Sequence, residues 1–156
     1  LTAECAVTAL ENENADSLID KNILIIGYGR IAKALHRLLA AYGSNITVCS
    51  RSAESAELSS FYGASHIYFP ELKKKNDFDI VINTVPHIVL TEAELKALKK
   101  SVIILDLASF PGGADTLMAA SLGLKIINGR GMPSKFTAKA AGEAIGCAAD
   151  EIIRQL

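Results

Sequence analysis

Cysteine is scarce, surplus charge is absent and no apolar run is long, and each shortage closes off a class of protein. The three cysteines, Cys5, Cys49 and Cys147, are scattered and odd in number. They make neither a disulfide framework nor a metal motif, so no metal site is expected. They read as small core residues in a reducing compartment. Sixteen Lys and Arg against seventeen Asp and Glu leave a formal net charge of −1. That balance offers no polyanion-binding surface, and nucleic acid is not an expected partner. The apolar stretches are strand-sized, which excludes a membrane span. With no secretory leader in view, a cytoplasmic setting is expected. No internal repeat or low-complexity tract appears. The first residue is Leu1, so the chain reads as a piece of a longer protein.

What is present is apolar and strongly patterned. Half of the 156 residues are hydrophobic, which suits one domain burying roughly two-thirds of its unfolded surface. Residues 23–32 read Ile-Leu-Ile-Ile-Gly-Tyr-Gly-Arg-Ile-Ala. The apolar run stops on Gly27 and continues as Gly27-x-Gly29-x-x-Ala32, the dinucleotide-binding fingerprint between a strand and a helix. Gly27 permits the tight turn, Gly29 lets a pyrophosphate approach the backbone, and Ala32 lets helix and sheet close up. The helix then turns unpaired N–H groups and the positive end of its dipole toward the phosphates.

Strand and helix signals alternate along the rest. A helix is expected over 2–13, then a polar connector over 12–20. Strands are expected at 22–27, 46–50, 65–69, 79–84, 102–106 and 125–128. Helices are expected at about 30–42, 53–62, 70–75, 114–122 and 137–154, with one more starting near Thr91 under a Thr91–Glu94 capping box. In the helix from Arg30, the residues Ile31, Leu35, Leu38, Leu39 and Tyr42 form the expected buried stripe, with His36 off it. The strands lack alternation, so the predicted architecture is a three-layer α/β fold. It has a doubly wound, parallel, six-stranded sheet of order 3-2-1-4-5-6. The final helix carries Ala140, Ala141, Ala144, Ile145, Ala148, Ile152 and Ile153 at helical spacing, implying close packing. The run Lys73-Lys74-Lys75 reads as a solvated face.

Ligands in such sheets sit beyond the carboxyl ends of the strands. The cofactor candidates are therefore Gly27, Tyr28, Gly29, Arg30 and Ile31 after the first strand and Ser50, Arg51 and Ser52 after the second. Thr84, Val85 and Pro86 follow the fourth, and Ala108 follows the fifth. NAD enzymes usually place an acid after the second strand to accept the ribose hydroxyls. Here no acid precedes Glu54, and Arg51 can grip a 2′-phosphate, so NADP is predicted over NAD. Ser109 and Lys135 are the substrate candidates, each able to meet a carboxylate. Gly112-Gly113 either brings backbone close to a ligand or only shapes the next helix entry, and both readings stay open. No catalytic acid or base is assigned, and His36, His66 and His87 are given no role.

GYGRIAKALHRLLAAYGSNITVCSRS, NTVPHIVLTEAEL, ILDLASFPGGAD and GRGMPSKFTAKAAGE together resemble the C-terminal nucleotide-binding domain of the dipicolinate synthase A-chain family. More distantly the pattern is similar to the cofactor domains of 2-hydroxyacid and shikimate dehydrogenases. The resemblance implies a two-domain dehydrogenase polypeptide whose N-terminal domain is absent here. It also implies a flavoprotein-like partner, the B chain of dipicolinate synthase. The implied activity is NADP-dependent oxidation of a dihydrodipicolinate-type dicarboxylate, branching from the lysine pathway, in the cytoplasm during sporulation. Gly27, Gly29, Arg30, Arg51, Ser109 and Lys135 fall in matching motifs. A homo-oligomer stays open. The alternatives are another NAD(P)-dependent dehydrogenase of 2-hydroxyacid or shikimate type, a non-catalytic nucleotide-sensing domain, or a methyltransferase.

Overall fold

A computed structural model describes residues 1–14 and 17–155. Part of the expected polar connector, residues 15–16, lies outside the described residues. The strands are β1 (Asn22–Ile26), β2 (Asn45–Cys49), β3 (Ser65–Ile67), β4 (Ile80–Asn83), β5 (Ile103–Asp106) and β6 (Lys125–Asn128). They form one parallel sheet in the order β3-β2-β1-β4-β5-β6, as the sequence predicts. The central strands β4 and β5 are buried at every residue, because helices cover both faces.

The helices are α1 (Thr2–Asn14), α2 (Arg30–Ala41), α3 (Ala53–Phe61), α4 (Phe69–Leu72), α5 (Glu92–Ala97), α6 (Thr116–Ser121), α7 (Met132–Phe136) and α8 (Ala138–Arg154). Alternate residues of β1 feed the two layers. Ile23 and Ile25 pack with α1 and α2 through Ala6, Leu10, Leu35 and Leu39. Leu24 and Ile26 pack with α4, α5 and α6 through Leu72, Leu95 and Ala119.

Several sequence expectations need correction. β3 stops at Ile67, since the Tyr68 N–H donates to Glu71 Oε2 at 2.8 Å and Pro70 opens a helix there. Asp115 caps α6 by accepting from Met118 N–H at 2.9 Å, so that helix starts at Thr116 instead of Ala114. Ile31 and Tyr42 are exposed, whereas His36, expected off the stripe, is buried. Lys135 sits in the last turn of the unforeseen helix α7, not in a loop. Spacing implies close packing along α8, yet Ile145, Ile152 and Ile153 are 71%, 62% and 67% exposed.

Candidate cofactor site

β1 and β4 are neighbours whose crossovers leave toward opposite faces, and this parts the loops beyond their ends. A cleft of about 990 Å³ opens there. Its lining includes Gly27 to Ile31 from the β1 loop and Ser50, Arg51, Ser52 and Ser55 from the β2 side. Thr84 to His87 and Val89 line it from beyond β4, and Phe69 from α4. Among the described residues, Arg30, Arg51 and His87 line this cleft without any Asp or Glu. Its charge therefore suits an anion.

The glycine turn is built for close approach. Gly27 has φ +89°, and its N–H donates to Cys49 O at 2.8 Å. A Cβ there would stand 2.6 Å from Thr84 Oγ1 and 2.9 Å from Val85 Cγ2, so the turn beyond β1 lies this close to the one beyond β4 only through glycine. A Cβ at Gly29 would meet nothing within 4 Å, because that direction faces the open cleft. Gly29 caps α2 without any side-chain bond, so the first N–H groups of the helix keep their donors for a ligand. The fit to a diphosphate is good: open approach, unpaired donors and a helix N-terminus coincide.

Tyr28 lines this wall while almost wholly buried. Its ring is buried, and its hydroxyl lies 2.8 Å from His36 Nδ1. Burial pushes the Tyr28 phenol up and holds the His36 imidazole below its ordinary value, although the Tyr62 backbone favours the charged ring. A neutral His36 accepting the Tyr28 proton thus ties the glycine turn to the second turn of α2.

On the β2 side, Ser52 caps α3: its Oγ accepts from Ser55 N–H at 3.1 Å and donates to Ser55 Oγ at 2.8 Å. Ser50 is buried, with its hydroxyl 2.8 Å from His66 Nε2. Arg51 is exposed between them and pairs with no carboxylate among the described residues.

The far wall is fixed by a buried knot that sequence reasoning missed. Asn83 Nδ2 donates to Asp106 Oδ1 at 2.8 Å and to Val85 O at 2.9 Å. Val85 N–H donates back to Asn83 Oδ1 at 3.1 Å. Asp106 also accepts from Ala108 N–H at 3.1 Å and Gly113 N–H at 2.8 Å. A Cβ at Gly113 would collide with the Asn83 amide, so that glycine serves the loop. Ala108 is buried behind this wall and does not line the cleft. Ser109 is exposed on the same loop, and Lys135 is exposed on α7; neither lines the cleft. Ser55, Phe69 and Val89 line the cleft although no sequence motif marks them, since none follows a strand directly.

The family model for the D-isomer specific 2-hydroxyacid dehydrogenase, NAD binding domain, matches residues 6–109. The chain belongs to this family. This 2-hydroxyacid dehydrogenase-type NAD-binding domain is 31% identical to the A chain of dipicolinate synthase of Bacillus subtilis, over 86% of this chain and 46% of that protein. It is 37% identical to an NADP⁺ shikimate dehydrogenase of Methanococcus maripaludis, over 80% of this chain and 49% of that protein. The crystal structure of the dipicolinate synthase A chain from Bacillus subtilis superposes with a TM-score of 0.95 at 28% identity, covering 99% of this chain and 52% of the other. The chain therefore spans about half the length of these relatives. No helix among the described residues is long and apolar enough to cross a membrane.

Proposed function

We propose that this domain holds NADP in an oxidoreductase of the dipicolinate synthase A-chain type. In that role it serves the oxidation of a dihydrodipicolinate-type intermediate to dipicolinate, a sporulation branch of the lysine pathway. The observation that carries the cofactor reading is the cleft's charge: Arg51 stands beside Ser50 and Ser52 where NAD enzymes commonly keep an acid, and no carboxylate among the described residues lines the cleft. The substrate reading rests on the likeness to the dipicolinate synthase A chain.

When bound, NADP⁺ supplies the hydride acceptor. Loss of a hydride and a proton leaves the substrate an aromatic pyridine. The domain's own share is binding and orientation. The N–H groups at the start of α2 hold the diphosphate, and Arg51 grips the 2′-phosphate as a charge-assisted fork. Thr84, Val85 and Pro86 form the mostly apolar wall beside the nicotinamide ribose. Ser109 and Lys135 offer a hydroxyl and an ammonium to the substrate's carboxylates. The rest of the substrate cleft belongs to a second domain, since dinucleotide sites often lie between domains. The B chain of dipicolinate synthase is the proposed protein partner.

Fluorescence titration tests the cofactor reading. NADPH is expected to bind at least about tenfold tighter than NADH, and Arg51→Ala to erase that gap. Equal or tighter binding of NADH overturns it. For the substrate, the full-length protein is expected to reduce NADP⁺ with dihydrodipicolinate and not with shikimate. Turnover of shikimate instead places the protein among the shikimate dehydrogenases.

A further inference from the structure

We propose that His66 is a positioning residue that sets the direction of the Ser50 hydroxyl and so tunes the cleft for a phosphorylated ribose. The inference rests on the NADP reading above and concerns how that end of the cleft discriminates.

Ser50 Oγ lies 2.8 Å from His66 Nε2, and Ser50 is 5% exposed while still lining the cleft. A hydroxyl has one proton and two lone pairs. When Nε2 is bare, Ser50 spends its proton on the ring and shows only lone pairs to the cleft. That arrangement suits a ribose hydroxyl, which can donate. When Nε2 carries a proton, the ring donates to Ser50 Oγ, and the serine proton is free to point at the ligand. A phosphate dianion only accepts, so it selects this second arrangement.

The surroundings of the ring make that selection titratable. His66 sits on β3, paired with Val48 of β2. Its ring meets Tyr68 edge-on at 4.8 Å between centroids. Burial lowers its pKa, and the Glu71 carboxylate on α4 pulls the other way. Beside it, the Cys49 thiol is pushed up to about 12 by burial and by Glu71, and stays neutral. From α3, Glu54 and Glu57 are exposed. The Arg51 guanidinium follows Ser50 directly. In the free domain at neutral pH the ring is mostly uncharged. Both the neutral Nε2–H tautomer and the imidazolium donate to Ser50 Oγ; the charge of a 2′-phosphate beside Ser50 favours the imidazolium, so NADP binding draws a proton onto His66. The phosphate, with its own second pKa near 6, sheds some proton on meeting Arg51. Comparing variants cancels that contribution.

The experiment is calorimetric titration of NADPH and of NADH into the chain near pH 6.5, in two buffers of different ionisation heat. Wild type, His66→Gln and His66→Leu are compared. With NADPH, wild type is expected to take up about half a proton more than His66→Gln, and with NADH no more. Gln keeps an N–H donor for Ser50 that does not titrate, so the NADPH preference survives within about threefold and keeps only the phosphate's own pH dependence. Leu neither takes nor gives a proton, so the Ser50 hydroxyl stays free to turn to the phosphate and the preference survives without the proton uptake. Equal proton uptake by wild type and His66→Gln overturns the proposal, as does an uptake in His66→Leu that matches wild type. If His66→Leu does not fold, the proton count of His66→Gln decides alone. Wild type that binds no NADPH overturns the cofactor reading itself, and the proposal with it.

Discussion

A methyl group added at Gly29 and one added at Gly113 meet opposite surroundings. At Gly29 it enters open cleft, whereas at Gly113 it strikes the Asn83 side-chain amide. Gly29→Ala is therefore expected to change stability by less than about 1 kcal/mol while weakening NADPH at least about tenfold, since only the phosphate's approach is blocked. Gly113→Ala is expected to cost more than about 2 kcal/mol, because the Asn83–Asp106 knot must open to make room. Urea unfolding paired with fluorescence titration separates the two; a stable Gly113→Ala protein refutes the structural role of the knot. The first glycine's role is legible in sequence, because a strand-to-helix setting gives Gly-x-Gly a meaning. The second is not: its purpose depends on an amide from β4, thirty residues earlier in the chain.

Helix α2 shows why an apolar stripe can mislead. Spacing puts Ile31 in the stripe, but it stands in the first turn, where the helix meets the cleft rather than the sheet. Polarity puts His36 outside it, but Tyr28 supplies a partner and allows burial. α7 is hidden for a related reason. Gly131, with φ +66°, and Pro133 read as loop, although proline suits a first helical turn and Met132 is buried to anchor it. The buried His36 predicts a pH effect. Its folded pKa lies below that of the unfolded chain, so the unfolded state binds more protons as pH falls through about 6.5. Stability is thus full above that pH and declines below it, toward the folded pKa. Urea midpoints at pH 7.5 and 5.5 should drop more for wild type than for His36→Gln. An equal drop in both assigns the acid sensitivity elsewhere.

At the scale of the whole molecule, the strand order is readable because alternating strands and helices with right-handed crossovers leave few topologies. What a single domain's sequence does not show is where its surface stops being surface. Ile145, Ala148 and Ile152 recur along one side of α8, and the isoleucines are exposed. Relatives about twice as long as this chain offer a second half to cover that stripe. Ile145→Asp with Ile152→Asp is expected to leave this domain's unfolding midpoint unchanged. In a chain of the relatives' full length the same pair is expected to lower the unfolding free energy by at least about 2 kcal/mol, read by urea unfolding. No difference between the two backgrounds shows that the stripe faces water in both.

Asp106 grips its neighbours by amide hydrogens, from Ala108 and Gly113, and Asn83 holds Val85 the same way. Every amino acid except proline carries such a hydrogen. The side chains of Ser109 and Phe110 hang outside this clasp in solvent. Replacing either side chain therefore leaves the clasp, and the wall of the cleft that it holds, in place.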